Sequence, residues 1–227
     1  MIEILRQHDP TLSAVDQIAS FDVFDTTITR IVAEPVGIFH LLQRRLAADR
    51  AWPAGLIESF PSYRVAAERQ ARVECGQEET TLAEIYQALG KKFSLTTDRQ
   101  ARLAELELAE ERRALRPIAP TIQLIECQRA QGRRVIFVSD SYLPQEFLRE
   151  ELARAGAWRE GDGLYVSSAY RVMKGTGHLF QRVLAQEHCA PNAVCHLGDN
   201  PDSDGRAPRR LGMSARLFFP GTGRWSE

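Results

Sequence analysis

At 227 residues the chain has room for one sizeable domain, or for a core with a second unit inserted into it. Hydrophobic residues at 44% and charged residues at 26% exclude a disordered or fibrous chain, and a formal net charge of −1 gives no general attraction to nucleic acid or anionic lipid. No apolar run approaches the ~20 residues of a membrane helix, and "MIEILRQHDP" lacks the apolar core and cleavage site of a signal peptide. A soluble cytoplasmic protein, with neither nucleic acid nor membrane as partner, is the expectation.

In chain order, residues 1–18 are expected to form a short helix at the edge of the core. The first strand is read in "SFDVF" (20–24). Some hundred residues then separate it from the next strand, far more than one crossover helix requires. Helical periodicity runs through "PVGIFHLLQRRLAADR", "SYRVAAERQARVECG", "TLAEIYQALGKKF" and "TDRQARLAELELAEERRALR". Residues 33–116 therefore read as an inserted helical cap, and "IAPTIQLIECQRAQG" as the returning crossover helix. Strands follow in "RVIFVS" (134–139), "LYVSS" (164–168), "AVCHLG" (193–198) and "SARLFF" (214–219), separated by "PQEFLREELARAG", "GHLFQRVLAQEH" and a short stretch near "SDGRAPRRLG". Strands without strict polar alternation, interleaved with helices, predict an α/β fold: a doubly wound, Rossmann-like parallel sheet made of residues 1–32 and 117–227. Ligands bind at the carboxyl ends of such strands, over which an insert placed after the first strand would hang.

Four cysteines, Cys75, Cys127, Cys189 and Cys195, show no C-x-x-C pairing and read as reduced thiols. "HCAPNAVCH" gathers His188, Cys189, Cys195 and His196, yet Cys195 and His196 are neighbours in a strand, face opposite ways and cannot share one zinc ion. In the insert, Arg64, Glu68 and Arg72 recur every four residues along one helix face. They read as partners for Glu107, Glu110 or Glu111 on a later helix. Tyr142 reads as packing beneath the insert.

The strand ends carry the chemistry. The first delivers Asp22 and then Thr26, the second Ser139; Lys174 follows the third, and "HLGDNPDSD" after the fourth brings Asp199 and Asp204. The set comprises a nucleophilic carboxylate, a hydroxyl, a cation and two acids of metal-ligand character. In this order it resembles the haloacid dehalogenase-like hydrolase superfamily: "FDVFDTT" matches the first motif, Ser139 the second, Lys174 the third and "GDNPDSD" the fourth. "FDVFDTTITR", "VSDSYLP" and, in the insert, "YRVAAERQAR", "TLAEIYQAL" and "ELELAEERR" resemble more narrowly a branch found alone or joined to glycosyltransferases of polysaccharide assembly. The resemblance extends over nearly the whole chain after residue 18.

The resemblance implies a Mg²⁺-dependent phosphohydrolase that forms an aspartyl phosphate on a small phosphorylated metabolite, such as a sugar phosphate or nucleotide-linked sugar, alongside glycosyltransferases. It gives Asp22, Ser139 and Lys174 catalytic roles, and makes Asp22, Asp199, Asp204 and the backbone carbonyl of Phe24 the metal ligands. Thr26, Asp140 and Arg30 are expected to bind substrate. Phe24 departs from the pattern, because typical phosphatases of this superfamily carry a proton-transferring Asp there and a phenyl ring moves no proton. A good leaving group, substitution by Asp25, and slow or absent turnover each accommodate it. The alternatives are accordingly a phosphate-ligand or partner-binding domain with little turnover, and a carbon–halogen hydrolase.

Overall fold

The computed structural model describes residues 17–49, 51–219 and 224–226. The helix expected over residues 1–18 lies outside them, except that Gln17 is extended and Ile18 already belongs to a strand. Six strands form the main sheet: β1 (Ile18–Phe21), β4 (Arg134–Ser139), β5 (Gly163–Val166), β6 (Val194–Gly198), β7 (Ser214–Phe219) and β8 (Arg224–Ser226). Their order is β5-β4-β1-β6-β7-β8. All pairs are parallel except β7 with β8. The chain first winds from β1 through β4 to β5 and then returns to β6 on the other side of β1. The order thus reverses at β1 and β6, and in such sheets ligands bind outside the carboxyl ends of the strands at that point. The α/β doubly wound fold is as expected.

Both faces of the sheet are covered. Ala19, Phe21, Phe137, Val166, Cys195 and Leu197 share one buried cluster with residues from α6 (Ala119–Ala130) and α7 (Gln145–Arg154). Ile18, Ile136, Val138 and Val194 meet Leu179, Phe180 and Val183 of α9 (His178–Gln186) on the other. Burial on both faces explains why the strands read as continuous apolar runs.

Two local differences from the sequence reading matter. The first strand stops at Phe21 rather than continuing to residue 24, because Thr27 and Ile28 both donate to the Val23 carbonyl and fold residues 22–28 into a tight loop. A two-stranded antiparallel ribbon, β2 (Ile28–Arg30) with β3 (Leu115–Pro117), was not legible at all. Between those two strands lie five helices: α1 (Val36–Ala47), α2 (Ala54–Glu58), α3 (Phe60–Glu74), α4 (Leu82–Phe93) and α5 (Thr97–Ala114). Thr81 starts α4 with a reciprocal capping box to Glu84.

Charge pairing organises these helices. Three acids on α5 are buried, and each meets an arginine from a different element: Glu107 with Arg64 of α3, Glu110 with Arg45 of α1, and Glu111 with Arg30 of β2. Arg64 and Glu107 are fully inaccessible and joined by two hydrogen bonds of 2.8 Å, while Tyr86 donates to the same carboxylate at 2.6 Å. The guanidinium lies over Phe39, Tyr86 and Tyr142. The Arg64, Glu68 and Arg72 face is therefore structural, as expected, with Arg72 reaching Glu68 and Glu79. Glu84 grips Arg171, which follows β5, through two hydrogen bonds of 2.7 and 2.8 Å.

Two tests follow from this pairing. Arg64→Met leaves Glu107 buried without its cation and should destabilise the protein by about 3–5 kcal/mol, whereas the Arg64→Met/Glu107→Leu double variant should recover most of the loss; urea unfolding at neutral pH measures both. Arg171's hydrogen bonds, partly opposed by burial, pull the Glu84 carboxyl down from 4.5 to about 2. A lowered carboxyl contributes stability that is complete above its unfolded value near 4.5 and is lost as pH falls towards about 2. The gap in urea midpoint between wild type and Glu84→Gln should therefore be wider at pH 7 than at pH 3.

Candidate active site

Asp22 is the first residue beyond β1, and its backbone N–H still donates to the Leu197 carbonyl of β6 at 2.7 Å. The ladder thus fixes the residue at the carboxyl end of β1. Thr27 donates to the Asp22 carbonyl at 2.6 Å and closes the loop that follows. Lys174 Nζ donates to Asp22 Oδ1 at 2.5 Å and to Asp204 Oδ1 at 2.6 Å, and all three side chains are at most 8% exposed. Asp22, Asp199 and Asp204 each present an oxygen within 4.8 Å of the others. Ser139 is the last residue of β4, the strand beside β1, and is buried. The loop after β1, the Lys174 loop and the segment after β6 thus converge, with the end of β4 alongside.

The lysine loop is held from two sides. Asp140 Oδ1 accepts from the Lys174 backbone N–H at 2.8 Å. From the inserted segment, Glu78 accepts from the Met173 N–H and from the Thr176 hydroxyl, both at 2.8 Å, and its other oxygen lies 2.5 Å from His178 Nδ1. Asp140 was expected to bind substrate. It is instead turned towards the backbone of the lysine loop, which it positions.

Asp204 reaches the lysine because Gly198 leaves room for it. A Cβ at residue 198 would stand 2.3 Å from the Asp204 carboxyl carbon. The Asp204 Oδ2 accepts from the Asn200 N–H at 3.0 Å, and His196 Nε2 lies 3.1 Å from Oδ1. Asn200 caps the single π-helical turn Pro201–Arg206 by accepting from the Asp202 and Ser203 amides, which tilts Asp204 back under β6. His196 is a site residue that sequence reasoning missed. Its signal was its place in a strand three residues before Asp199, which the neighbouring cysteines obscured.

Carboxylates outnumber the lysine. Burial pushes the Asp22 carboxyl up to about 8; Lys174 draws it down only in part, and Asp204 and Asp199 push it further. Burial would also raise Asp204, but Lys174 and His196 overcome it and hold that carboxyl low. Asp199 is raised by burial and then by Asp204. A centre with this surplus of oxygen charge favours a hard cation. Two further observations fit one. Among the described residues, no main-chain donor meets the Phe24 carbonyl, and the buried Thr26 hydroxyl has no hydrogen-bond partner. The three acids Asp22, Asp199 and Asp204 therefore suit Mg²⁺.

Arg30 and Asp25 depart from expectation. The Arg30 guanidinium donates to both oxygens of Glu111, at 2.7 and 2.9 Å, and lies 4.1 Å from the centroid of the Phe24 ring. With two of its N–H groups committed to a buried carboxylate, it ties the β2 ribbon to α5 and is not a phosphate grip. Phe24 is the platform under that ion pair, a packing role that its place two residues after Asp22 had concealed. Asp25 sits in the left-handed region at φ 56°, is exposed, and accepts from Thr29 Oγ1 at 2.6 Å. It stands in the loop beyond β1, not in the strand.

No family model and no curated protein sequence matches the chain. Solved structures do. A 2-haloacid dehalogenase from Pseudomonas syringae aligns at 15% identity over 93% of this chain and 90% of its own, with a TM-score of 0.67. The HAD hydrolase YfnB from Bacillus subtilis, bound to magnesium, aligns at 18% identity over 87% and 84%, with a TM-score of 0.54. A HAD-family enzyme from Bacteroides thetaiotaomicron, in complex with magnesium and inorganic phosphate, aligns at 13% identity over 91% and 96%, with a TM-score of 0.57. Among the described residues, no helix is long and apolar enough to cross a membrane.

Gly198→Ala tests the metal centre. The added methyl must displace Asp204, so calorimetric Mg²⁺ affinity should fall by about 10–100-fold, as for other groups that orient ligands. The rise in melting temperature on adding Mg²⁺ should shrink with it. Unchanged affinity in the folded variant would remove Asp204 from the site.

Proposed function

We propose that this chain, whose fold is that of the haloacid dehalogenase-like hydrolases, is a Mg²⁺-dependent phosphohydrolase acting through an aspartyl phosphate on Asp22. The observation that most supports this is the Lys174 ammonium lying between Asp22 and Asp204, with Asp199 in the same cluster. An Asp22 oxygen attacks phosphorus in line; the bond to the leaving oxygen breaks, and that oxygen takes the electron pair. Water then attacks the phosphorus of the acyl phosphate, the bond to Asp22 breaks, and inorganic phosphate leaves with the carboxylate restored. Lys174 offsets the repulsion between carboxylate and phosphoryl oxygens, and the hydroxyls of Thr26 and Ser139 donate to those oxygens. When bound, Mg²⁺ supplies further positive charge to the same oxygens.

Phe24 narrows the substrate. General-acid assistance is typically worth ~10²–10⁴-fold, and the ring cannot give it. Asp25 is turned to Thr29 and solvent. The substrates that suit such a site are small metabolites whose terminal phosphoryl group leaves an oxygen that departs without a proton: acyl phosphates and terminal phosphoanhydrides, ahead of sugar monophosphates. In this reading residues 33–116 act as the cap and the enzyme works in the cytoplasm alongside glycosyltransferases. The Phe24–Arg30–Glu111 stack also favours a second reading, a domain that binds a phosphorylated ligand with little turnover.

Phosphate and chloride release from a panel of anhydrides, acyl phosphates, monoesters and 2-haloacids, with Mg²⁺ or chelator, separates these readings. Mg²⁺-dependent phosphate release should fall to background in Asp22→Asn, with acyl phosphates ahead of sugar monophosphates by about 100-fold or more, the lower end of the range for a missing general acid. Chloride release without metal would replace the proposal with the dehalogenase reading. Binding without release would replace it with the ligand-binding one.

A further inference from the structure

On the face of the sheet that packs against α9, β1 and β6 change character towards their carboxyl ends. Ile18 and Val194 lie in the apolar cluster on that face. The next side chains along it are Ser20 and His196, cross-strand partners in the β1–β6 register and both fully buried. Asp22 and Gly198 come next, so this one row of side chains leads from the apolar cluster to the proposed nucleophile and to the glycine that makes room for Asp204.

The ring of His196 is fixed at both nitrogens. Ser20 Oγ lies 2.7 Å from Nδ1, and Asp204 Oδ1 lies 3.1 Å from Nε2. Ionised Asp204 can only accept, so Nε2 carries the proton, and Nδ1 accepts from the Ser20 hydroxyl. Phe180 meets the ring edge-on with centroids 4.9 Å apart. Two apolar side chains would fill such a slot without the desolvation that a buried serine and imidazole must overcome. The pair also reaches the reacting group: Asp204 Oδ1 takes the His196 N–H on one side and the Lys174 ammonium on the other, and that ammonium touches Asp22.

We propose that His196, with Ser20 behind it, is a positioning residue: it holds the Asp204 carboxylate in the rotamer that presents Lys174 to Asp22. The inference rests on the phosphohydrolase reading and deepens it. Without the Nε2–H, Asp204 keeps, among the described residues, the Asn200 amide and the lysine as protein partners, turns with the lysine, and the ammonium leaves the line between carboxylate and phosphate.

The test compares His196→Leu with His196→Gln in the full-length protein, with acetyl phosphate as the probe and Mg²⁺ present. Leucine keeps the volume and removes the donor, and kcat should fall by about 10–100-fold with KM nearly unchanged. Glutamine offers an amide N–H towards Asp204 and should recover most of the lost kcat. A leucine variant with the wild-type kcat, or a glutamine variant as impaired as the leucine one, overturns the inference. Should His196→Leu not fold, Ser20→Ala carries the test: a lower kcat at constant KM supports the proposal, and an unchanged kcat overturns it. Nitrogen NMR of the wild-type imidazole needs no turnover. A proton on Nε2 and a bare Nδ1 support the proposal, and the reverse tautomer overturns it. Failure of the underlying reading looks different: wild type releases no phosphate from acetyl phosphate, while the tautomer is as expected.

Discussion

One ammonium group shared by two buried carboxylates is the interaction around which this protein is arranged. An isolated charge in the interior is unfavourable, and a cation between two acids only partly neutralises them. Holding Lys174 against both Asp22 and Asp204 therefore needs the surrounding chain to fix every partner. The β1–β6 ladder fixes Asp22, and the absent side chain of Gly198 gives Asp204 its place. Asp140 holds the lysine's own amide, and Glu78 that of the preceding Met173. The charge left over, with Asp199 close by, is what makes the centre attractive to a hard divalent ion.

Much of this was legible in the linear sequence, for a physical reason. A sheet covered on both faces produces unbroken apolar runs, and polar residues at the ends of such runs stand out; Asp22, Ser139 and Asp199 were found in that way. β4 occupies the expected span, and β6 differs from it by one residue at its start. What escaped depends on pairing between distant segments. The β2–β3 ribbon is made of three-residue strands whose partners are separated by the whole insert, so no local pattern marks it. Arg30 follows the nucleophile loop closely and looked like a phosphate ligand; its partner, Glu111, lies at the far end of the insert. His196 belongs to the site because of its register with Ser20, and the nearby cysteines drew attention to zinc instead.

The inserted helices are held together in an unusual way for a small α-helical unit. Their longest helix buries three glutamates and recruits one arginine from each of three other elements. Such pairs contribute little net stability compared with apolar packing, but they tolerate few alternative arrangements. Arg30 and Arg64 are both committed to glutamates within this framework, so neither guanidinium is left to attract a second anionic group on a substrate. Phe24 and Tyr142, each stacked against one of these arginines, present aromatic surface instead.

The ribbon that begins and ends the insert has a mechanical meaning. Two independent tethers would let the five helices twist and slide as well as swing. Strands paired from Ile28–Pro117 to Arg30–Leu115 instead join the two ends of the insert to each other, so the helices leave and return through one paired ribbon. Phe24 sits at its root beside Arg30, and Asp22 is two residues further back along the chain.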